Sequence, residues 1–163
     1  MMKRRQRQKM KRKTHGFTLI ELLVVIVIIS VLAAVAIPMV ENSVRRYQEI
    51  ELRRALRTLR TAIDEYRKFV EENNVEMDED TYNYPPELED LIKGIEYKDK
   101  KGDEKIKKFL RNIPLDPMTN SYEWGLRSYQ DDRDEESWGG ENVYDVYTKS
   151  QRKALNGTYY KEW

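Results

Sequence analysis

The sequence contains no cysteine. Disulfide frameworks, thiolate metal sites, iron–sulfur clusters and cysteine nucleophiles are therefore excluded. Its single histidine, His15, lies in a basic leader. A Ser–His–Asp triad, a histidine-ligated zinc or a histidine general base has no histidine to use beyond that point. Carboxylate or lysine chemistry survives this filter, but no pattern in the chain marks it, so the expectation is a protein that is not an enzyme. What is present is segregated charge. The 163 residues carry 30 basic and 29 acidic side chains, yet residues 1–16 hold eight Lys or Arg and no acid, which leaves −7 for the rest. A chain of this length forms one domain, or a small domain with an appendage.

Between the two charged pieces, residues 17–40 (FTLIELLVVIVIISVLAAVAIPMV) form a 24-residue apolar run with one charge, Glu21. At about 1.5 Å per helical residue it is long enough for a hydrocarbon core of about 30 Å. The basic leader places the N-terminus in the cytoplasm and residues 41–163 across the membrane. Three readings compete. A cleaved secretory signal, with Ala34-Val35-Ala36 as its site, has too long an apolar region. A plain single-pass anchor explains length and orientation but not Glu21. The third reading takes Gly16-Phe17-Thr18-Leu19-Ile20-Glu21 as a processing and assembly signal. A carboxylate within a span costs about 2.5–3.5 kcal/mol, so it calls for a partner or a role. Near the membrane edge it could also snorkel or protonate at modest cost. Cleavage between Gly16 and Phe17 would supply a partner, a new α-amino group four residues before Glu21.

The run GFTLIELLVVIVIISVLAAVAIP resembles the class III signal of type IV pilins, pseudopilins and related filament proteins. The resemblance implies cleavage after Gly16 by a prepilin peptidase and N-methylation of Phe17. It also makes Glu21 and Pro38 assembly residues.

Pro38 lacks a donor and clashes with the Ala34 carbonyl, so a kink or local melting is expected there. Beyond it Val40, Val44 and Tyr47 form a short stripe. Leu52, Leu56, Leu59, Ile63, Tyr66 and Val70 then recur at helical spacing, with Ala55 and Ala62 beside them. The opposite face carries Arg53, Arg54, Arg57, Arg60, Asp64 and Lys68. A stripe shorter than three heptads reads as a core seam rather than a coiled coil. Asn73-Asn74 is the expected stop. The expected divisions are a leader (1–16, removed), a transmembrane and assembly helix (17–40), an amphipathic head helix (41–74) and a C-terminal head (75–163).

In the last part, Tyr84-Pro85-Pro86 leads into a predicted short helix with proline in its first turn and Gly94 at its end. Residues 96–108 read as a charged, solvated loop. Tyr122–Leu126, Val143–Thr148 and Thr158–Tyr160 are predicted strands, the last following an Asn156-Gly157 turn. A three-stranded antiparallel sheet laid on the long helix gives an α+β fold.

The stretches YPPELEDLI, IPLDPMTNSYEWGLRSYQDD, WGGENVYDVYTKS and ALNGTYYKEW resemble the major pseudopilins of type II secretion systems. That resemblance implies a type IV pilin-like α+β fold and a structural calcium in place of a disulfide. Its candidate ligands are Asp145, Asn156, Asp131, Asp132 and Asp134, since calcium takes six to eight oxygens. Asn stands at 156 where the resemblance implies an acid. The alternative is a solvated acidic turn that needs no ion.

The expected protein is a homopolymeric pseudopilus subunit of the inner membrane and periplasm. Its expected partners are the prepilin peptidase and methylase, other pseudopilins, an inner-membrane assembly platform and, before assembly, the membrane. The rivals are a type IV pilin or minor pseudopilin, a membrane-tethered binding domain or DNA receptor, and a signal-anchored hydrolase. A −7 charge disfavours affinity for nucleic acid.

Overall fold

The computed structural model of the protein describes residues 16–99, 102–132 and 137–163. Helix α1 spans Leu19–Asn73 and passes through Pro38 without interruption. The expected local melting at Pro38 is therefore corrected: the missing N–H costs one backbone bond without ending the helix. The chain divides into two compact units between Asn42 and Ser43. Every described residue of the first unit, from Gly16 to Asn42, is exposed.

In the second unit the helix has a buried stripe. Leu52, Leu56, Leu59, Ile63, Tyr66 and Val70 are buried with Ala55 and Ala62, as their spacing requires, whereas Val44 and Tyr47 are exposed. Each large side chain so buried contributes about 1.5–3 kcal/mol of apolar transfer. The helix stops where expected. Asn74 adopts φ +49°, and the Val75 N–H donates to the Val70 carbonyl at 3.2 Å, closing the last turn.

A 3-10 turn at Glu79–Thr81 and the short helix α2 (Asp90–Lys93) follow. Pro85 and Pro86 precede α2 instead of lying in its first turn, because the helix begins only at Asp90. Leu88 and Leu91 are buried, and the Leu91 carbonyl accepts from the Phe109 and Leu110 N–H groups at 3.0 and 2.9 Å. Gly94 ends the helix with φ +88°, and a Cβ there would stand 2.5 Å from the Lys107 carbonyl oxygen. Both facts demand glycine.

The stretch expected to be a charged loop contains an antiparallel hairpin. Strand β1 (Ile95–Lys98) pairs with β2 (Glu104–Lys107) in the register Ile95↔Lys107 to Lys98↔Glu104. All four β2 residues are exposed, so the ladder carries no apolar alternation. Strand β3 (Gly125–Arg127) pairs with β4 (Asp145–Tyr147), Leu126 opposite Val146. The three-stranded sheet is thus corrected to two separate two-stranded ladders among the described residues. The third expected strand is reduced to a single bridge, Lys153↔Tyr159, and residues Tyr160–Glu162 turn into a 3-10 helix. A Cβ on Gly125 would lie 2.4 Å from the Tyr147 ring, so that ring can pack only against glycine.

Trp124, Val143, Val146, Ala154 and Tyr160 complete the core over α1. The Trp124 indole N–H reaches the Pro114 carbonyl at 2.9 Å, and the Val143 N–H the Pro85 carbonyl at 2.7 Å. A long N-terminal apolar helix with small antiparallel sheets is the α+β, type IV pilin-like arrangement expected.

Candidate processing and assembly site

At the start of α1, Thr18 caps the helix. Its Oγ1 accepts from the Glu21 N–H at 3.3 Å, and its carbonyl accepts from the Leu22 N–H at 3.2 Å. Thr18-Leu19-Ile20-Glu21 has the spacing of a capping box, and Glu21 sits in the first turn, where the helix dipole favours a negative charge. The helix start thus gives an acid at 21 a second reason, independent of any partner. Among the described residues the Glu21 carboxylate has no ion pair or side-chain hydrogen bond. Phe17 is 81% exposed, and among the described residues no atom lies within 4 Å of the place a Cβ on Gly16 would occupy. Among the described residues nothing packs against the junction between Gly16 and Phe17. Farther along, the Ser30 hydroxyl donates to the Ile26 carbonyl at 2.8 Å, so the one hydroxyl in mid-run needs no outside partner. Among the described residues α1 supplies one stretch long and apolar enough to cross a membrane.

The head carries the other candidates. Asp145, on β4, lies beside α1. Its Oδ1 accepts from Arg60 Nε at 2.7 Å and its Oδ2 from an Arg60 terminal nitrogen at 3.2 Å. Asp131 accepts from the Ser128 N–H at 2.6 Å and the Gly139 N–H at 3.2 Å. Asn156 closes its own turn, accepting from the Thr158 N–H and hydroxyl at 3.1 and 2.8 Å. Asp132 is exposed, and Asp134 lies outside the described residues. Among the described residues no three acidic or histidine side chains converge as a metal cage would require. Asp145, Asp131 and Asn156 are each engaged by donors of the protein itself.

Three polar anchors were not visible in local pattern. Asn142, fully buried, bridges both flanks of the acidic segment. Its Oδ1 accepts from the Tyr129 N–H at 2.9 Å, and its Nδ2 donates to Gln130 Oε1 at 2.7 Å. Asp116, also fully buried, accepts from the Met118 N–H and the Thr119 and Thr148 hydroxyls. Glu49, at the start of the buried stripe, accepts from the Leu155 N–H at 2.8 Å and the Tyr160 hydroxyl at 3.0 Å. Burial first, and then the bond to Glu49, raise the Tyr160 pKa above its ordinary value. Burial likewise raises Tyr84, whose hydroxyl meets Arg67 at 2.6 Å, and pushes Tyr66 up to about 12.

Residues 11–37 match the prokaryotic N-terminal methylation motif. The chain carries a methylation signal. Gly16, Phe17 and Glu21 all fall within the matched segment, and Pro38 lies just past it. The chain is also homologous to two kinds of curated protein. The type IV major fimbrial protein FimA of Dichelobacter nodosus is 46% identical over 55 residues, which is 34% of this chain and 35% of that protein. The chain thus spans about a third of the length of the fimbrial relatives it matches. The type II secretion system core protein G of Pseudomonas aeruginosa is 27% identical over 117 residues, covering 70% of this chain and 75% of that protein. No solved structure matches the chain significantly.

Proposed function

We propose that this protein is a structural subunit of the periplasmic pseudopilus of a type II protein secretion system. It polymerises through α1 after a prepilin peptidase cuts between Gly16 and Phe17 and Phe17 is methylated. The observation that carries the reading is the stretch of α1 from Leu19 to Val40, apolar on every side, exposed throughout, and holding one carboxylate, Glu21, unpaired among the described residues. In a single chain such a surface has two stable fates, the lipid bilayer or a bundle of identical helices. In the bundle, Glu21 of one subunit pairs with the Phe17 ammonium of the next, neutralising both charges in apolar surroundings. The leader holds the precursor in the inner membrane with its head in the periplasm. Assembly then engages an inner-membrane platform and other pseudopilins, and the protein itself performs no catalysis.

A type IV pilin is the second reading, favoured by the 46% identity to the fimbrial protein. That likeness covers 55 residues, whereas the likeness to the secretion protein covers 117 and so extends into the head. The longer match supports the pseudopilus. N-terminal sequencing and intact mass of the protein from membranes and sheared filaments test the processing step. A methylated Phe17 terminus is expected; a terminus at Ile37 or an uncut leader overturns it. Long surface fibres at native expression would favour the pilin reading.

A further inference from the structure

The resemblance points to a cation near Asp145 and Asn156, and the structure puts a side chain there. The Arg60 guanidinium faces four oxygens. It donates to both carboxylate oxygens of Asp145 at 2.7 and 3.2 Å. It also donates to the Val146 carbonyl at 3.3 Å and to a Trp163 main-chain oxygen at 2.7 Å. Asn156 lines the same open cleft of about 490 Å³, together with Arg53, Arg57 and Trp163. A carboxylate with main-chain carbonyls is the kind of donor set a hard cation takes. Here a guanidinium fills it, and position 156 brings a neutral amide in place of an acid.

We propose that Arg60 is the built-in cation of the head: its guanidinium stands where a divalent ion would, ties α1 to β4 and to Trp163, and frees the fold from calcium. Arginine suits the role because its planar fork meets a carboxylate with two parallel bonds and keeps donors for the main-chain oxygens. Lysine has one compact charge and no fork. An ordinary surface ion pair would matter little, since the Arg60 and Asp145 side chains are 39% and 30% exposed. The two additional main-chain acceptors, on segments 86 and 103 residues away, set this contact apart. A calcium ion against the same oxygens would be repelled by the guanidinium.

The experiment is thermal unfolding of the full chain in detergent micelles, with chelator and then with millimolar calcium chloride. The melting temperature of the unaltered protein is expected to be the same in both. Arg60→Gln, which keeps a planar polar group without the charge, is expected to lower it by about 5 °C or more. Arg60→Lys is expected to recover less than half of that loss. A rise of several degrees when calcium is added to the unaltered protein overturns the proposal, as does Arg60→Gln melting at the unaltered temperature. If Arg60→Gln does not fold, the calcium comparison and Arg60→Lys decide. Neither readout depends on filament formation, so the result stands apart from the pseudopilus reading.

Discussion

Up to Asn42, helix α1 shows apolar side chains on every side; from Ser43 onward it shows them along one stripe. The first stretch buries nothing within the chain, while the second buries nine residues. The same backbone geometry therefore serves two solvents. A helix apolar all round needs lipid or copies of itself, whereas a striped helix needs a domain laid along one face. The polar residues divide the same way. Glu21 has no side-chain partner among the described residues, and Glu49, on the striped stretch, has two. On the proposed reading Glu21 makes its contact with another molecule, whereas Glu49 has already made its contacts within the fold.

The largest effect should come from the first stretch alone. Glu21→Leu removes the one charge of the apolar run, and filaments recovered by shearing and pelleting should fall to background. The head's melting temperature should not move. Normal filament yield would break the contrast. Next, Gly16→Val should leave the packing of the head untouched, because no described residue lies within 4 Å of a Cβ at that position. Uncleaved precursor should nonetheless accumulate on immunoblots of membranes, since a branched side chain obstructs backbone binding by the peptidase. Cleavage at the normal rate would move the processing site elsewhere.

The opposite kind of change acts on the second stretch. Leu59, fully buried, truncated to Ala should cost about 2–5 kcal/mol of head stability. Membrane insertion should be unaffected, as read by fractionation and denaturant titration. The smallest effect is one of pH. Tyr66 is raised to about 12 by burial, with the Asp90 charge second, so above pH 10 the unfolded chain loses a proton that the folded head keeps. Stability is full below pH 10 and declines from there toward pH 12. Tyr84 and Tyr160 are shifted the same way and add to the decline. Melting curves in that window should show it, and Tyr66→Phe should flatten it in part. A melting temperature constant from pH 9 to about 12 would contradict the shift.

The buried stripe of α1 was legible residue by residue, because a period of 3.6 is a local property and burial selects it strongly. So was the stop at Asn73-Asn74, where a side chain that tolerates a left-handed backbone ends the pattern. The hairpin β1–β2 was not legible. Its ladder is built from main-chain bonds, and Glu104, Lys105, Ile106 and Lys107 all face solvent, so no alternation was written there. The Thr158–Tyr160 run after the Asn156-Gly157 turn suggested a strand, but the Tyr160 hydroxyl bonds to Glu49, and the chain turns there. At the N-terminal motif, residue types and spacings alone carried the reading, and residues 11–37 match the methylation motif. In the head, Asp145 stood out as an acid, but its partner Arg60 lies 85 residues earlier, on what looked like a solvated face. Contacts of that span leave no trace in a local pattern.

Such spans also set a timetable. Glu49 closes on Tyr160 across 111 residues, and Arg60 on Trp163 across 103. A chain delivered N-terminus first presents the striped helix long before the groups that cover it. Ordering so long an intervening segment is the slow step when native contacts lie far apart along a chain. The helix must therefore wait, its leucines uncovered, until Tyr160 arrives. During that interval the growing head offers a sticky surface to chaperones and neighbours alike.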